Sequence, residues 1–375
     1  MKLTLLKSEL ARMGGLEKYT LHIAEAFRKK GAEVTILTTG PLPERFSDIN
    51  IVRFPIDRPL SAWNVHAFDK ACSAYLKLHP TPLVFGLDRN RYQTHLRAGN
   101  GSHASYLNMR TEEEGLLKGW SFRCNPLHRL LLKIEKEAFE HPELEVLFTN
   151  SHMVRKEILD QYAVEPNKVK VVHNGVEWSE LQYDFDAWEL VRAPLAKALH
   201  LDLSCHQLLF IGHNYQRKGL DKLLYALSLL KDKNVQLSVV GKDKNSSFYE
   251  KLASQLNLTA QVRFFGAQKQ IRSFYQIADT LVIPSLYDPF ANVTVEALAL
   301  GLFVVSSVQN GGHEILTASN GAVIPSLKDP ESIAETLRIA LKHPKTRPSA
   351  EAIRSSVRHL DFPDALSRIT SACLI

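Results

Sequence analysis

The sequence predicts an α/β protein built from two Rossmann-like domains, each a doubly wound parallel sheet. Short apolar runs alternate with amphipathic helical patterns along most of the chain, and this alternation is typical of parallel sheets covered by helices. The alternation occurs in two series, separated by a stretch between Val172 and His206 that has no extended apolar run. A chain of 375 residues is also long enough for two domains of ordinary size.

Each series supplies several candidate strands. In the first series the apolar runs cover residues 3–6, 34–37, 51–54, 83–85 and 146–148. In the second series they cover residues 208–211, 237–240, 262–265, 281–283 and 303–306. The pattern that follows the first run is helical, because Leu16, Tyr19, Ile23 and Phe27 fall on one face at helical spacing.

The predicted domain boundary lies near residue 175. Residues 178–198 are rich in charged and aromatic side chains and contain no apolar strand, so we expect an interdomain connection there. We assign residues 1–175 to an N-terminal domain and residues 176–348 to a C-terminal domain. Residues 349–375 are expected to form two helices that pack back towards the N-terminal domain. Two domains facing across a cleft would hold a ligand at the carboxyl ends of their strands.

Composition argues against several classes of function. Lys and Arg number 46 against 40 Asp and Glu, a net charge of +6. This excess is too small for a dedicated nucleic-acid binder, but it suits a phosphate-bearing ligand or an anionic membrane surface. The four cysteines are widely spaced and form no CxxC pair, so we expect neither a zinc ribbon nor a disulfide framework. The apolar run before Lys7 predicts a first strand, not a secretory signal, and a cytoplasmic protein.

Three segments carry the candidate chemistry, and the first is Gly14-Gly15 after the first predicted strand. Glycines there allow close approach of a ligand, and the helix that follows offers free N–H groups to an anion. A tight strand-to-helix turn is the simpler interpretation. The dinucleotide fingerprint GxGxxG and the P-loop GxxxxGK[ST] are both absent from the sequence, which argues against a nicotinamide enzyme and a P-loop kinase.

The second segment runs from Gly212 to Gly219 after the strand at 208–211. It contains Arg217 and Lys218, two cations that suit a diphosphate, although a solvated basic turn would have the same composition. The third segment follows the strand at 281–283 and carries Asp288 before a helix that begins near Asn292. The helix start suits phosphate oxygens, and Glu296 lies about one turn in. Alternatively, Asp288 belongs to a turn and Glu296 complements the helix dipole.

Together these segments resemble a known family. Arg217-Lys218-Gly219, followed about seventy residues later by Asp288-x7-Glu296, is similar to the retaining GT-B glycosyltransferases of family 4, whose usual string is E-x-F-G-x-x-x-x-E. The resemblance extends over nearly the whole chain, through Gly14-Gly15-x-Glu17, Asn150-Ser151, Asn174-Gly175-Val176 and Ala278-Asp279. Within the family, the segment Arg97-Ala98-Gly99-Asn100-Gly101-Ser102-His103 resembles lipopolysaccharide-core glucosyltransferases that act on heptose.

The resemblance implies a role for each matching position. Arg217 and Lys218 would bind the donor diphosphate, Glu296 the ribose and Asp288 the transferred sugar, and these four are the candidate catalytic residues. The implied donor-binding residues are Gly14, Gly15, Gly212, Gly266, Ala267, Phe290, Ala291, Asn292, Thr294 and Val295. The implied acceptor-binding residues are Glu17, Arg97, Asn100 and His103. The donor would be a nucleotide sugar of the UDP-glucose type, and the acceptor a glycolipid or oligosaccharide.

Two positions depart from the family pattern. Asp288 replaces the usual Glu and shortens the reach by one methylene, so the donor sugar could differ from glucose. Asn100 stands where close relatives carry Asp, and an amide cannot act as a base. His103 is a candidate substitute, although a packed or acceptor-binding histidine is the simpler interpretation.

No cofactor and no metal are expected, because Arg217 and Lys218 would stabilise the charge on the departing diphosphate. The DxD string Asp184-Phe185-Asp186 follows no strand, so we do not expect it to hold a metal.

Residues 118–136 combine Trp120, Phe122 and cations with a leucine-rich helical face. They could lie on the inner leaflet of the cell membrane, or their leucines could pack on the core. A different glycan acceptor and a catalytically weak donor-binding scaffold remain the alternatives.

Overall fold

The computed structural model describes residues 1–10, 15–40, 49–56, 60–230 and 234–374, and for residues 15–18 it describes the backbone only. The chain divides into two compact units. Unit 1 comprises Met1–His173 together with Ala365–Ile375, and unit 2 comprises Asn174–Asp364. The boundary near the C-terminus therefore falls inside the last helix.

Unit 1 contains a parallel sheet. Its strands are β1 Lys2–Leu6, β2 Glu33–Thr38, β3 Asn50–Arg53, β4 Leu83–Gly86, β5 His95–Arg97, β6 Val146–Thr149 and β7 Val169–Val171. The helices between them are α1 Gly15–Lys29, α2 Ser61–Leu78, α3 His103–Glu114, α4 Leu116–Cys124, α5 Pro126–Phe139 and α6 His152–Gln161. The strand order is β3-β2-β1-β4-β5-β6-β7, so the direction of winding reverses between β1 and β4.

The core of unit 1 follows from the apolar periodicity of its elements. Helix α1 buries Tyr19, Ile23 and Phe27, which lie on one face as their spacing predicts. The ring of Phe27 meets Phe85 of β4 edge to face, with ring centroids 6.2 Å apart, and Phe85 stacks on Phe148 of β6. These aromatic contacts fasten the helix layer to the centre of the sheet.

Unit 2 contains a second parallel sheet. Its strands are β8 His206–Ile211, β9 Val235–Val240, β10 Val262–Gly266, β11 Thr280–Ile283, β12 Phe303–Ser307 and β13 Gly321–Ile324. Its helices are α7 Trp178–Ala198, α8 Leu220–Leu229, α9 Ser246–Gln255, α10 Arg272–Ile277, α11 Asn292–Ala299, α12 Pro330–Ala340 and α13 Arg347–Ser356, and α14 Phe362–Cys373 crosses the unit boundary. The strand order is β10-β9-β8-β11-β12-β13, which reverses between β8 and β11.

All ten predicted strands are present, and the structure adds β5, β7 and β13. Two of the added strands, β5 and β7, are only three residues long and escaped prediction for a physical reason. In β5, Leu96 stands between His95 and Arg97, and in β7, Lys170 stands between two valines, so neither forms an apolar run. These strands are fixed by pairing with their neighbours, not by local composition.

Residues 178–198, where an interdomain connection is predicted, form helix α7, which lies within unit 2. Leu181, Phe185 and Trp188 follow one another at helical spacing and are all buried. The Arg354 guanidinium of α13 lies 4.7 Å from the centre of the Phe185 ring, which ties α7 into unit 2. The many charged residues on the other face of the helix obscured this period. No helix in the described parts of the chain is both long and apolar enough to cross a membrane.

Candidate functional site

The carboxyl edge of the unit 2 sheet gathers the loops with the candidate donor-site residues. The loop after β8 and the loop after β11 leave adjacent strands at the point where the winding reverses. A reversal of this kind opens a crevice between the two loops, and open α/β sheets bind their ligands there. The sheet order therefore brings Arg217 and Lys218 next to Asp288 although about seventy residues separate them in sequence.

Close backbone approach holds these two loops together. Gly219 ends the loop after β8 with φ of +74°, and a Cβ atom there would lie 1.9 Å from the Pro284 carbonyl oxygen. A side chain at this position would be excluded both by the left-handed backbone and by the contact. The Leu286 amide donates to the Arg217 carbonyl at 2.8 Å across the same approach. Gly219 thus sets the distance between the cations and the loop that carries Asp288.

Arg217, Lys218 and Asp288 form one ion-pair cluster. Lys218 Nζ donates to Asp288 Oδ2 at 2.5 Å, and Arg217 Nη1 donates to the same oxygen at 3.2 Å. Lys218 and Asp288 are 8% and 7% exposed, so the pair is screened little by solvent. Burial acts to raise the pKa of Asp288, but the charges of Lys218 and Arg217 outweigh burial and lower it below its ordinary value. The carboxylate is therefore ionised at neutral pH, and the cluster keeps an excess of one positive charge.

The partner of Asp288 was not anticipated from the sequence, which suggested only a contact with the transferred sugar. The aspartate orients both cations in this structure, and that function is compatible with a hydrogen bond to a sugar hydroxyl because a carboxylate has several acceptor positions. Arg217 is held further by a 2.9 Å hydrogen bond from Nη1 to the Tyr287 carbonyl. The two cations are consequently fixed before any ligand arrives.

The remaining donor-site candidates of this loop lie at the start of α11. The side chains of Phe290, Ala291, Thr294 and Val295 are buried, whereas Asn292 is exposed. The Asn174 amide donates to Asn292 Oδ1 at 2.7 Å and to the Phe290 carbonyl at 3.3 Å. Because the side chains of these four residues are buried, only their backbone groups are available to contact a phosphate or a sugar.

Sequence reasoning missed Asn310, which organises this loop. Asn310 is fully buried, and its Oδ1 accepts from the Ala291 amide at 3.0 Å and from the Gly312 amide at 3.1 Å. The main chain of Asp288 pairs with this turn through Asp288 N–H to Gln309 O and Gly311 N–H to Asp288 O, both at 2.9 Å. The string Asn310-Gly311-Gly312 after the predicted strand at 303–306 was the available signal.

The other candidates of unit 2 are placed as follows. Glu296 lies on α11 and accepts a hydrogen bond from the buried Tyr275 hydroxyl at 2.8 Å. Gly212 packs against the side chain of Lys218, since a Cβ atom there would lie 2.9 Å from its Cγ. Gly266 and Ala267 are exposed at the end of β10, the edge strand two positions from β8. The two aspartates of the DxD string, Asp184 and Asp186, lie on helix α7 and not at the end of a strand. Asp184 pairs with Arg272, and Asp186 accepts a hydrogen bond from Gln182.

Of the predicted acceptor residues in unit 1, Arg97 and Asn100 line the same cavity. The Arg97 guanidinium stacks 3.9 Å above the centre of the Tyr19 ring. Asn100 lines this cavity, of about 50 Å³, together with Asp88, Arg89 and Glu135. Gly14 lies outside the described residues, and Gly15 and Glu17 are described only as backbone of α1.

His103 is buried and has no charge at neutral pH. Its Nε2 lies 3.1 Å from Nδ1 of His128, and its backbone N–H donates to Glu135 Oε2 at 2.7 Å. Burial above all, followed by the charges of Arg89 and His128, lowers the pKa of His103 to about 3. A histidine with this pKa is a weak base, so the geometry favours a structural position for His103.

Unit 1 also contains an ion pair that sequence reasoning missed. Lys7 follows β1 and Asp88 follows β4, and these two strands are adjacent at the reversal of the unit 1 sheet. Lys7 Nζ donates to Asp88 Oδ1 at 3.0 Å, while the Ser8 amide and hydroxyl each donate to Oδ2 at 2.7 Å. Only the strand order reveals this pair, because 81 residues separate its members.

Two family models match the chain and together cover most of it. The model for Glycosyltransferase Family 4 matches residues 13–180, and the model for Glycosyl transferases group 1 matches residues 196–356. An uncharacterised glycosyltransferase of Methanocaldococcus jannaschii is 26% identical, over 86% of this chain and 84% of that protein. The lipopolysaccharide glucosyltransferase WaaG of Escherichia coli K12 is 25% identical, over 88% of this chain and 86% of that protein.

Solved structures give the same fold. The crystal structure of WaaG, a glycosyltransferase involved in lipopolysaccharide biosynthesis, matches with a TM-score of 0.78 and 22% identity, over all of this chain and 99% of that one. Anabaena Alr3699/HepE in complex with UDP matches with a TM-score of 0.70 and 16% identity, over 99% of both chains. The predicted GT-B architecture of two parallel-sheet domains is thereby confirmed.

Proposed function

Because the chain belongs to the GT-B glycosyltransferases, with a family 4 and a group 1 domain, we propose that it is a retaining enzyme which transfers a hexose from a nucleotide diphosphate sugar to a sugar hydroxyl of a glycolipid. The favoured donor is of the UDP-glucose type, and the favoured acceptor is a heptose of the lipopolysaccharide core. The likeness to WaaG, a lipopolysaccharide glucosyltransferase, supports this choice.

The observation that carries the proposal is the cluster of Arg217, Lys218 and Asp288 at the reversal of the unit 2 sheet. Breaking the anomeric C–O bond leaves negative charge on the diphosphate and builds positive charge on the sugar. A pair of fixed cations with an excess of one positive charge meets the first need without reorganisation. To Asp288, which is held beside them, we assign a hydrogen bond from a hydroxyl of the transferred sugar.

The proton balance of the reaction needs no side-chain base. The acceptor oxygen bonds to the anomeric carbon on the face from which the diphosphate departs, and the acceptor proton passes to the departing phosphate oxygen. This route accommodates Asn100, which cannot take a proton, and His103, whose pKa is lowered to about 3. We propose that Arg217 and Lys218 replace a metal ion in this step, so that the reaction proceeds in the presence of a chelator.

A glycolipid acceptor requires access to a membrane surface, and helices α4 and α5 suit that purpose. Leu116, Leu117 and Trp120 are 84%, 90% and 70% exposed, a large apolar area for side chains of one short helix. Exposed cations accompany them, namely Lys118, Arg123, Arg129, Lys133 and Lys136. By contrast Phe122 and Ile134 are buried, so only part of segment 118–136 is available to an anionic inner leaflet.

A transfer assay tests the proposal. The purified chain is incubated with UDP-glucose, other nucleotide sugars and a deacylated lipopolysaccharide core that ends in heptose, with EDTA present. We expect one donor to yield a product in which NMR shows the anomeric configuration of the donor. Transfer to a different glycan would show that the acceptor is not a lipopolysaccharide-core heptose. Saturable donor binding without transfer or hydrolysis would favour the scaffold alternative.

A further inference from the structure

A buried tyrosine contacts the residue assigned to the ribose. Tyr275 lies on α10, is 1% exposed, and places its hydroxyl 2.8 Å from Oε2 of Glu296 on α11. An ionised carboxylate can only accept hydrogen bonds, so the phenol is the donor. Burial first, and then the charge of Glu296, raise the pKa of Tyr275 well above its ordinary value, so the phenol keeps its proton throughout the neutral range.

The tyrosine is itself anchored on the side of the main chain. Lys345 Nζ donates to the Tyr275 carbonyl at 3.2 Å, and the same nitrogen lies 4.5 Å from the centre of the Trp188 ring. The Lys345 amide donates to Asp279 Oδ1 at 3.0 Å, so the backbone of Lys345 is held close to the end of α10. Tyr275 is therefore a rigid donor, whereas Glu296 is a half-buried side chain with several rotatable bonds.

We propose that Tyr275 is a positioning residue that fixes the Glu296 carboxylate for the two hydroxyls of the donor ribose. The inference rests on the proposed function, which assigns Glu296 to the ribose. A free glutamate would lose side-chain freedom when it binds a ligand, and a pre-formed hydrogen bond removes part of that cost. The phenol occupies one oxygen as a donor and leaves acceptor positions for the ribose hydroxyls, so it does not compete with the ligand.

A comparison of nucleotides with and without these hydroxyls tests the proposal. UDP, GDP and ADP are first compared by titration calorimetry on the wild-type chain. The tightest of the three and its 2′,3′-dideoxy analogue are then titrated into wild type, Tyr275→Phe, Glu296→Ala and the double variant. The phenylalanine ring keeps the packing of the tyrosine and removes only the donor. Tyr249→Phe, which also removes a buried phenol hydroxyl from unit 2, is the matched control.

We expect Tyr275→Phe to lower the affinity for the ribonucleotide by roughly three- to tenfold and to leave the affinity for the dideoxy analogue unchanged. In the Glu296→Ala background the same substitution should have no further effect, because the tyrosine acts through the glutamate. In transfer assays KM for the donor should rise while kcat stays near the wild-type value. Tyr249→Phe should keep the wild-type ratio of the two affinities.

Three results would overturn the inference in distinguishable ways. If Glu296→Ala removes the preference for the ribonucleotide but Tyr275→Phe keeps it, Tyr275 has no positioning function and the ribose assignment stands. If Glu296→Ala itself keeps the preference, the ribose assignment of the proposed function is wrong, and the inference is lost with it. An equal loss for both nucleotides in Tyr275→Phe, together with a lower melting temperature, would make the hydrogen bond merely structural.

Discussion

The two sheets reverse direction in the same way, and each places a Lys–Asp pair at the reversal. In unit 1 Asp88 is paired with Lys7 and accepts two further hydrogen bonds from the uncharged groups of Ser8. In unit 2 Asp288 is paired with Lys218 and also with Arg217. The unit 1 cluster is therefore neutral, while the unit 2 cluster keeps one positive charge. A neutral, hydrogen-bonded edge suits a sugar, and a positive edge suits a diphosphate.

The largest effect is expected from Lys218→Ala. Removing this cation takes away charge stabilisation that matters most in the transition state, so kcat should fall by about 10²–10³-fold. Asp288 retains Arg217 as a partner, which limits the loss of stability. Steady-state transfer or donor hydrolysis measures the rate, and thermal unfolding measures the stability. An unchanged kcat/KM would remove Lys218 from the mechanism.

Lys7→Met is the matched substitution in unit 1. It leaves the half-buried Asp88 carboxylate without its cation, and a stability loss of about 1–3 kcal/mol is expected in urea unfolding. Donor affinity should be unchanged, because the neutral cluster of unit 1 is not assigned to the diphosphate. A loss of donor affinity as large as that of Lys218→Ala would make the two reversals equivalent and end the distinction between them.

Glu296→Ala should weaken the binding of the nucleoside diphosphate, even when the nucleotide carries no sugar. Hydrogen bonds to a carboxylate contribute about 1.5–3 kcal/mol, so we expect a decrease of at least about tenfold in affinity for the nucleoside diphosphate. Titration calorimetry with the free diphosphate makes the measurement. Equal affinities of the two proteins would contradict the ribose assignment.

A buried basic group in each unit makes the free energy of unfolding depend on pH, over a different pH range in unit 1 and in unit 2. Burial above all lowers the pKa of Lys345 in unit 2 to about 7, so the unfolded chain binds more protons between about pH 7 and 10.5, and this lysine makes stability rise with pH there. His103 in unit 1 has a pKa lowered to about 3, so its contribution rises between about pH 3 and 6.5. The largest slope from either group is about 1.4 kcal/mol per pH unit.

Urea unfolding of Lys345→Met and His103→Asn against pH separates these windows. Lys345→Met should lose only the rise above pH 7, and His103→Asn only the rise below pH 6.5. Groups common to all three proteins cancel in the differences from wild type. A Lys345→Met curve that runs parallel to wild type from pH 7 to 10 would show that the lysine stays protonated in the folded chain.

The smallest effect concerns the departure at Asn100. Asn100→Asp should leave donor affinity within about twofold of wild type, since the residue lines a cavity of unit 1 whereas the diphosphate is assigned to Arg217 and Lys218 of unit 2. A large rate gain in the transfer assay would mean that the natural residue attenuates the enzyme at its acceptor side.

The sequence predicts those parts of this molecule that depend on local pattern. Ten strands stand out as apolar runs. Arg217, Lys218, Asp288 and Glu296 are identifiable from the sequence because they lie in the segments that follow the runs at 208–211 and 281–283. What it does not predict depends on which strands lie side by side. Strand order brings Lys7 to Asp88, and it brings both Arg217 and Lys218 to Asp288. Helix packing brings Tyr275 to Glu296.

The charge difference between the two reversals is tested most directly by thermal unfolding of wild type and Lys218→Ala with UDP-, GDP- and ADP-sugars in EDTA. A ligand that binds only the folded chain stabilises it by about 2.7 kcal/mol at a hundred times its Kd. We predict that one donor raises the melting temperature of wild type and Lys7→Met equally, and that of Lys218→Ala much less. No shift in wild type with any donor, or the same shift in Lys218→Ala, would contradict a diphosphate site at the unit 2 reversal.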